Sequence, residues 1–306
     1  MKKENKKWTV LDLLSKANDL LDTFQPDVAL TFCQKAFDQE PGNVLVLQTL
    51  ASILLELGQV EQARTHLLTS LDVEPQSGYE KFLALAQISE GMEALHYYQK
   101  GFGVLKGERE VYEMSQEEGD GKLASILCSQ AELWMTDLCM EEGAEQECEK
   151  ALTEARALAP REPEVLRLFS DLRMVQCRPE DAKVEALACY HAFADMDLTA
   201  PQYPSFDLRT ALARNFVELE CYEEADQLLQ VLLQEDDEHL MNLYLFAMVC
   251  YFLQHRDECL EACATMLKRL EMDPNAELLE ATTELQEKAS ALPEEMDQDD
   301  EHQADE

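Results

Sequence analysis

The chain has 306 residues, with 63 Asp+Glu against 25 Lys+Arg and a formal net charge of -38. That balance excludes direct nucleic-acid binding, which needs a basic footprint, and disfavours anionic membrane surfaces. With 46% hydrophobic residues, enough apolar surface exists for a core, so wholesale disorder is excluded too.

Residues 1–8 form a basic opening segment with Lys2, Lys3, Lys6 and Lys7. It leads into no continuous apolar stretch, so no secretory signal is expected, and the lysines, split two and two around Glu4 and Asn5, match a nuclear address only weakly. Beyond it the composition reads as helical. Leucine abounds while the only isoleucines are Ile53, Ile88 and Ile126, and strands favour β-branched residues. Leu47, Leu50, Leu54 and Leu57 mark one apolar stripe at helical spacing. The longest apolar run, Leu243 to Leu253, is about half of what a membrane span needs.

A period of 34 residues organises residues 9–274: it separates Pro41 from Pro75 and Ala29 from Ala63, and the same register sets Ala17 on Ala51 and Leu20 on Leu54. Each unit reads as an amphipathic helix, a short turn, a second helix and a proline stop. A small residue in each helix lets the two backbones approach: Ala17 with Ala29, then Ala51 with Ala63. Proline ends the second helix because it lacks an N–H and restricts the residue before it. In a third unit Gly91 and Ala94 enter the second helix, with Tyr98 and Gly101 at packing positions. Further hairpins are expected at 123–142 with 144–158, 163–177 with 180–195, 207–220 with 222–235, and 240–253 with 256–271. Residues 107–121, rich in glutamate, read as an acidic loop inserted in the array. Residues 275–290 read as a capping helix, and 291–306 as an acidic disordered tail.

This pattern resembles the tetratricopeptide repeat, which implies an all-α solenoid of about seven helical hairpins closed by a C-terminal helix. In such arrays the first helix of each pair usually lines the concave side. The register then projects Gln48, Ser52, Glu56, Tyr79, Leu83, Asp137 and Glu141 onto that face, followed by Glu164, Asp171, Glu218, Tyr244, Met248 and Tyr251. Carboxylates pair with Arg and Lys, and tyrosine faces accept guanidinium groups, so a basic, extended peptide is the expected partner. Repeat domains that grip acidic chaperone tails are similar in using Lys and Asn on these helices. Here Asn18 fits one such position, but Leu14 stands where lysine would, and Gln48 and Thr49 follow.

No glycine-rich phosphate loop, G-x-S-x-G or H-E-x-x-H occurs, so neither enzyme nor cofactor is expected. Ten cysteines without a C-x-x-C are too sparse for a disulfide scaffold. His255, Cys259 and Cys263 share a helical spacing, yet three such residues read as packing rather than as a metal site.

Two stretches narrow the resemblance. Phe82 to Gly91 with Glu93 to Gly101, and Ala131 to Met140 with Glu145 to Glu149, are similar to the dedicated assembly chaperones of the universal large-subunit ribosomal protein number four. That resemblance implies a seven-repeat array that captures the long, basic internal loop of the new ribosomal protein; a monomer is the expected state. It also implies passage between cytoplasm and nucleus, ending at the pre-60S particle. The other reading from the residues is a scaffold or adaptor joining proteins in a complex.

Overall fold

The computed structural model describes residues 8–111, 114–272 and 275–293. Among them lie fifteen helices and no strand. The contacts divide the chain into two compact units, Met1–Pro160 and Arg161–Glu306, where the sequence suggested one array over 9–274. The boundary falls between the eighth and ninth helices, in the stretch holding Pro160 and Pro163.

The first unit stacks four hairpins: α1 (Val10–Leu21) with α2 (Pro26–Gln39), α3 (Val44–Glu56) with α4 (Val60–Val73), α5 (Tyr79–Gln87) with α6 (Gly91–Val111), and α7 (Gln116–Met135) with α8 (Ala144–Leu158). The second unit stacks three: α9 (Pro163–Val175) with α10 (Pro179–Phe193), α11 (Phe206–Glu218) with α12 (Tyr222–Glu235), and α13 (Leu240–Phe252) with α14 (Arg256–Leu270). The helix α15 (Ala276–Ser290) then lies on α13 and α14. The fold is thus the all-α tetratricopeptide-repeat type.

Local chemistry sets the helix starts. Thr9 and Asp12 form a reciprocal capping box on α1, the Thr9 hydroxyl accepting from the Asp12 amide at 3.2 Å. Asn43, Ser115, Ser205 and Asn275 cap α3, α7, α11 and α15 with side-chain oxygens. Pro26, Pro163 and Pro179 open α2, α9 and α10, where a missing N–H costs nothing. Five of the seven hairpin turns repeat one geometry: after the first helix one residue enters the left-handed region, and the next amide bonds back five residues. Gln59 N donates to Leu54 O at 2.8 Å and Cys221 N to Phe216 O at 2.8 Å.

The small residues behave as the register requires: Ala17, Ala29, Ala51 and Ala63 are fully buried. Cys148 and Cys259 occupy equivalent crossing points, where their thiols donate to the Ala131 and Ala247 carbonyls at 3.7 and 3.2 Å. Leucines fill the space between hairpins. Leu13, Leu50, Leu54, Leu67 and Leu85 join one core in the first unit; Leu212, Phe216, Leu228, Leu229 and Leu232 centre another in the second. Each such side chain contributes about 2 kcal/mol by leaving water.

Residues 107–121 differ from the expected acidic loop. Gly107–Val111 is the last part of α6, and Gln116–Gly121 begins α7. Glutamate is a good helix former, so an acidic run does not break a helix. Gly119 permits the close approach: a Cβ there would come 2.5 Å from Arg109 Cδ, and Arg109 pairs with Asp120. The acidic tail from 294 and the basic residues 1–7 lie outside the described residues.

Candidate peptide-binding face

The first helices α1 and α3 touch in the first unit, and α9 and α13 touch α11 in the second. On α3, Gln48, Ser52 and Glu56 form a stripe at four-residue spacing. Ser52 and Glu56 are exposed. Gln48 is half-buried, and its Nε2 has no acceptor beside Gly78, where a Cβ would stand 3.1 Å away.

The other projected residues divide by packing. Tyr79 and Leu83 are turned into the stack, against Leu105, Leu123 and Ile126 of α6 and α7. Leu83 Cδ2 lies 3.0 Å from where a Cβ of Gly101 would be, so these two residues build the core next to the face. Burial and nearby Glu80 push the Tyr79 hydroxyl up. Asp137 and Glu141 do not lie on a first helix, because α7 ends at Met135 and residues 136–143 form a turn. Both are exposed, and Asp137 Oδ2 accepts from the Gly91 amide at 3.3 Å. Between them Leu138 is buried, seated beside Gly91. The T-D-L-C stretch thus ties the α7–α8 turn to the start of α6.

In the second unit Glu164 is half-buried in the first turn of α9. Asp171 is no free carboxylate. Its Oδ2 accepts from Arg167 Nη1 at 2.6 Å and its Oδ1 from Asn215 Nδ2 on α11. These residues line a depression of about 490 Å³ together with Met174, Arg214 and exposed Glu218. Tyr244, Met248 and Tyr251 pack in the seam with α15, against a cluster that includes Leu285 and Ala289. Burial and the Glu284 charge raise the Tyr244 hydroxyl.

The first helices of the two units are therefore mixed in charge, with acids in modest excess. The seven first helices hold 12 acidic and 7 basic residues, against 21 and 11 on the seven second helices. Most of the net charge sits on second helices, turns and tail. The register missed Lys122, Arg167 and Arg214, although the i,i+4 spacing of Arg167 and Asp171 signalled their ion pair. Glu56, Glu141 and Glu218 remain exposed acids able to receive lysine or arginine.

Among the described residues, no group of three His, Cys, Asp or Glu is arranged for a metal, and no helix is long and apolar enough to cross a membrane. His255 stands at the start of α14, 3.4 Å from Glu258, while Cys259 and Cys263 are fully buried. Burial pushes the Cys33 and Cys189 thiols up to about 12, which keeps them protonated packing groups.

Stacked helical hairpins with small residues at each crossing define a tetratricopeptide-repeat protein, and a tetratricopeptide-repeat family model matches residues 20–86. The chain is 34% identical over 231 residues to the "Probable assembly chaperone of rpl4" of Schizosaccharomyces pombe, covering 73% of this chain and 68% of that one. It is 33% identical over 247 residues to the protein of the same description in Emericella nidulans, covering 76% of this chain and 62% of that one. A solved structure described as "Assembly Chaperone of RpL4 (Acl4) (Residues 1-338)" superposes with a TM-score of 0.73 at 27% identity, over 82% of this chain and 98% of that one. The chain belongs to this family of assembly chaperones. It spans about two thirds of the length of the curated relatives it matches.

Proposed function

We propose that the chain is a dedicated chaperone that captures a basic, extended segment of a newly made large-subunit ribosomal protein, the counterpart of rpl4, and escorts it to pre-60S assembly. The observation that carries this reading is membership of the rpl4 chaperone family across most of the chain. The net charge of -38 supports it. An unassembled ribosomal protein is strongly basic and associates with RNA. A partner of opposite sign speeds its capture and shields it until ribosomal RNA competes. Because the first helices hold 12 acids and 7 bases, a small part of the net charge of -38, the whole molecule steers the client, while exposed Glu56, Glu141 and Glu218 make close contacts. The chain works without catalysis or cofactor, as a monomer, in cytoplasm and nucleus, and touches neither nucleic acid nor membrane directly.

Affinity purification from lysate followed by mass spectrometry tests this. One stoichiometric large-subunit ribosomal protein is the expected result. A multisubunit complex lacking such a protein would replace the chaperone reading with that of a scaffold.

A further inference from the structure

Thr9 is the only serine or threonine of the chain with bases at both the third and the second position before it, Lys6 and Lys7. An apolar residue, Val10, follows it. The order Lys-Lys-Trp-Thr-Val is one that basophilic protein kinases read: carboxylates of the kinase cleft pair with the two cations, and an apolar slot takes the next side chain. Neither the hairpin register nor the client face uses these lysines.

The fold separates Thr9 from the weaker matches. Ser170, three residues after Arg167, is fully buried. Ser125 and Thr153, each three residues after a lysine, lie inside α7 and α8. Thr9 is exposed beside Trp8, which is itself 47% exposed, and its backbone is extended, with φ -77° and ψ 164°. Its hydroxyl is engaged by one residue. Thr9 Oγ1 donates to Asp12 Oδ2 at 2.8 Å and accepts from Asp12 N at 3.2 Å, while Thr9 N donates to Asp12 Oδ2 at 3.0 Å. Val10 is 8% exposed. The first turn of α1 must therefore open before Oγ1 and Val10 can enter a kinase cleft.

We propose that Thr9 is a phosphorylation site for a basophilic kinase that reads Lys6 and Lys7, and that opening of the Thr9–Asp12 capping box sets the rate. Oγ1 attacks the γ-phosphorus of ATP, the bond to the β–γ bridging oxygen breaks, the hydroxyl proton passes to the kinase's catalytic aspartate, and ADP leaves. The phosphate repels the Asp12 carboxylate, so the modified chain gives up its capping box. Four lysines and Glu4 give residues 1–9 a charge of +3, and the phosphate, at about -2, lowers it to about +1. The site requires no ribosomal client.

The test is to incubate the full chain with ATP and the catalytic subunit of cyclic-AMP-dependent protein kinase, beside a synthetic peptide of residues 1–14, and to map the product by mass spectrometry. One phosphoryl group should appear, on Thr9, and Thr9→Ala should remove it. Lys6→Ala with Lys7→Ala should lower kcat/KM at least about tenfold, the value of lost charge-assisted hydrogen bonds. Asp12→Ala should raise the full-chain rate about fivefold, the equivalent of one lost cap, and leave the peptide rate unchanged. No phosphate on Thr9 of the full chain overturns the proposal, whether or not the peptide is modified. So does a rate indifferent to loss of both lysines. A full-chain rate indifferent to Asp12→Ala overturns the role given to the capping box.

Discussion

The two units are built from the same hairpin but handle polar groups differently. In the first, α3 carries a single charge, exposed Glu56, and the hairpin turns use Gly58, Gly91 and Gly143 at positive φ, with Phe24 as the one side chain in that region. In the second, α9 and α11 each carry two arginines and two acids, and Asp171 joins Arg167 to Asn215 across helices. Its turns place Cys177, Glu220 and Gln254 at positive φ, where a side chain is strained. An acid in the right register is not thereby a free acid, as Asp171 shows. Ion pairs join helices in both units, Arg109 with Asp120 in the first and Arg209 with Glu235 in the second, while Glu56 stays exposed on α3.

The largest expected effect shows what the units share. Ala51→Leu and Ala213→Leu insert bulk at equivalent, fully buried crossings. Each should cost about 3 kcal/mol in chemical denaturation; a loss confined to one unit would mean the hairpins are not equivalent. Next comes the contrast itself. Asp171→Ala removes the acceptor of both Arg167 and Asn215 and should cost about 2 kcal/mol. Glu56→Ala should stay within about 0.5 kcal/mol. Similar losses at the two sites would erase the distinction between structural and free acids.

The turns give a smaller effect of opposite sign. Glu220→Gly and Gln254→Gly should each stabilise by about 0.5 kcal/mol, because relief of strain exceeds the added unfolded-state entropy. Gly58→Ala should destabilise by about 1 kcal/mol. The smallest effect is pH-dependent. Burial lowers the His66 pKa from 6.5, so folding favours the neutral ring, which lies 5.3 Å from Phe37. That contribution is complete above 6.5 and fades as pH falls through the lowered value. Replacing the ring by His66→Phe should flatten the stability profile below pH 6.5.

Much of this architecture was legible in the sequence. The 34-residue register of Ala29 with Ala63 and Pro41 with Pro75 gave the hairpins, because a crossing needs a small residue and a helix stop needs a breaker. Residues 107–121 were misread because an acidic run resembles a loop, while glutamate propagates helices and Gly119 makes room for Arg109. Asp137 and Glu141 were misplaced because α7 stops at Met135 with no glycine or proline there; the stop comes from Leu138 N bonding back to Leu133 O and from Leu138 packing beside Gly91. The Asp171–Asn215 bond spans 44 residues and needs the fold to exist. Tyr244 and Tyr251 sit on the expected helix, but α15 covers them in part, which one helix's register does not reveal.

Capture of a basic segment would run through exposed acids. The direct test is the Kd of the client's basic internal loop, measured by calorimetry across a salt series, for the unaltered chain and for Glu56→Lys, Glu141→Lys and Glu218→Lys combined. These three acids are exposed, so the variant should fold. Affinity should fall with salt, with at least a roughly tenfold loss in the triple variant at physiological ionic strength. Affinity indifferent to both salt and charge reversal would contradict it.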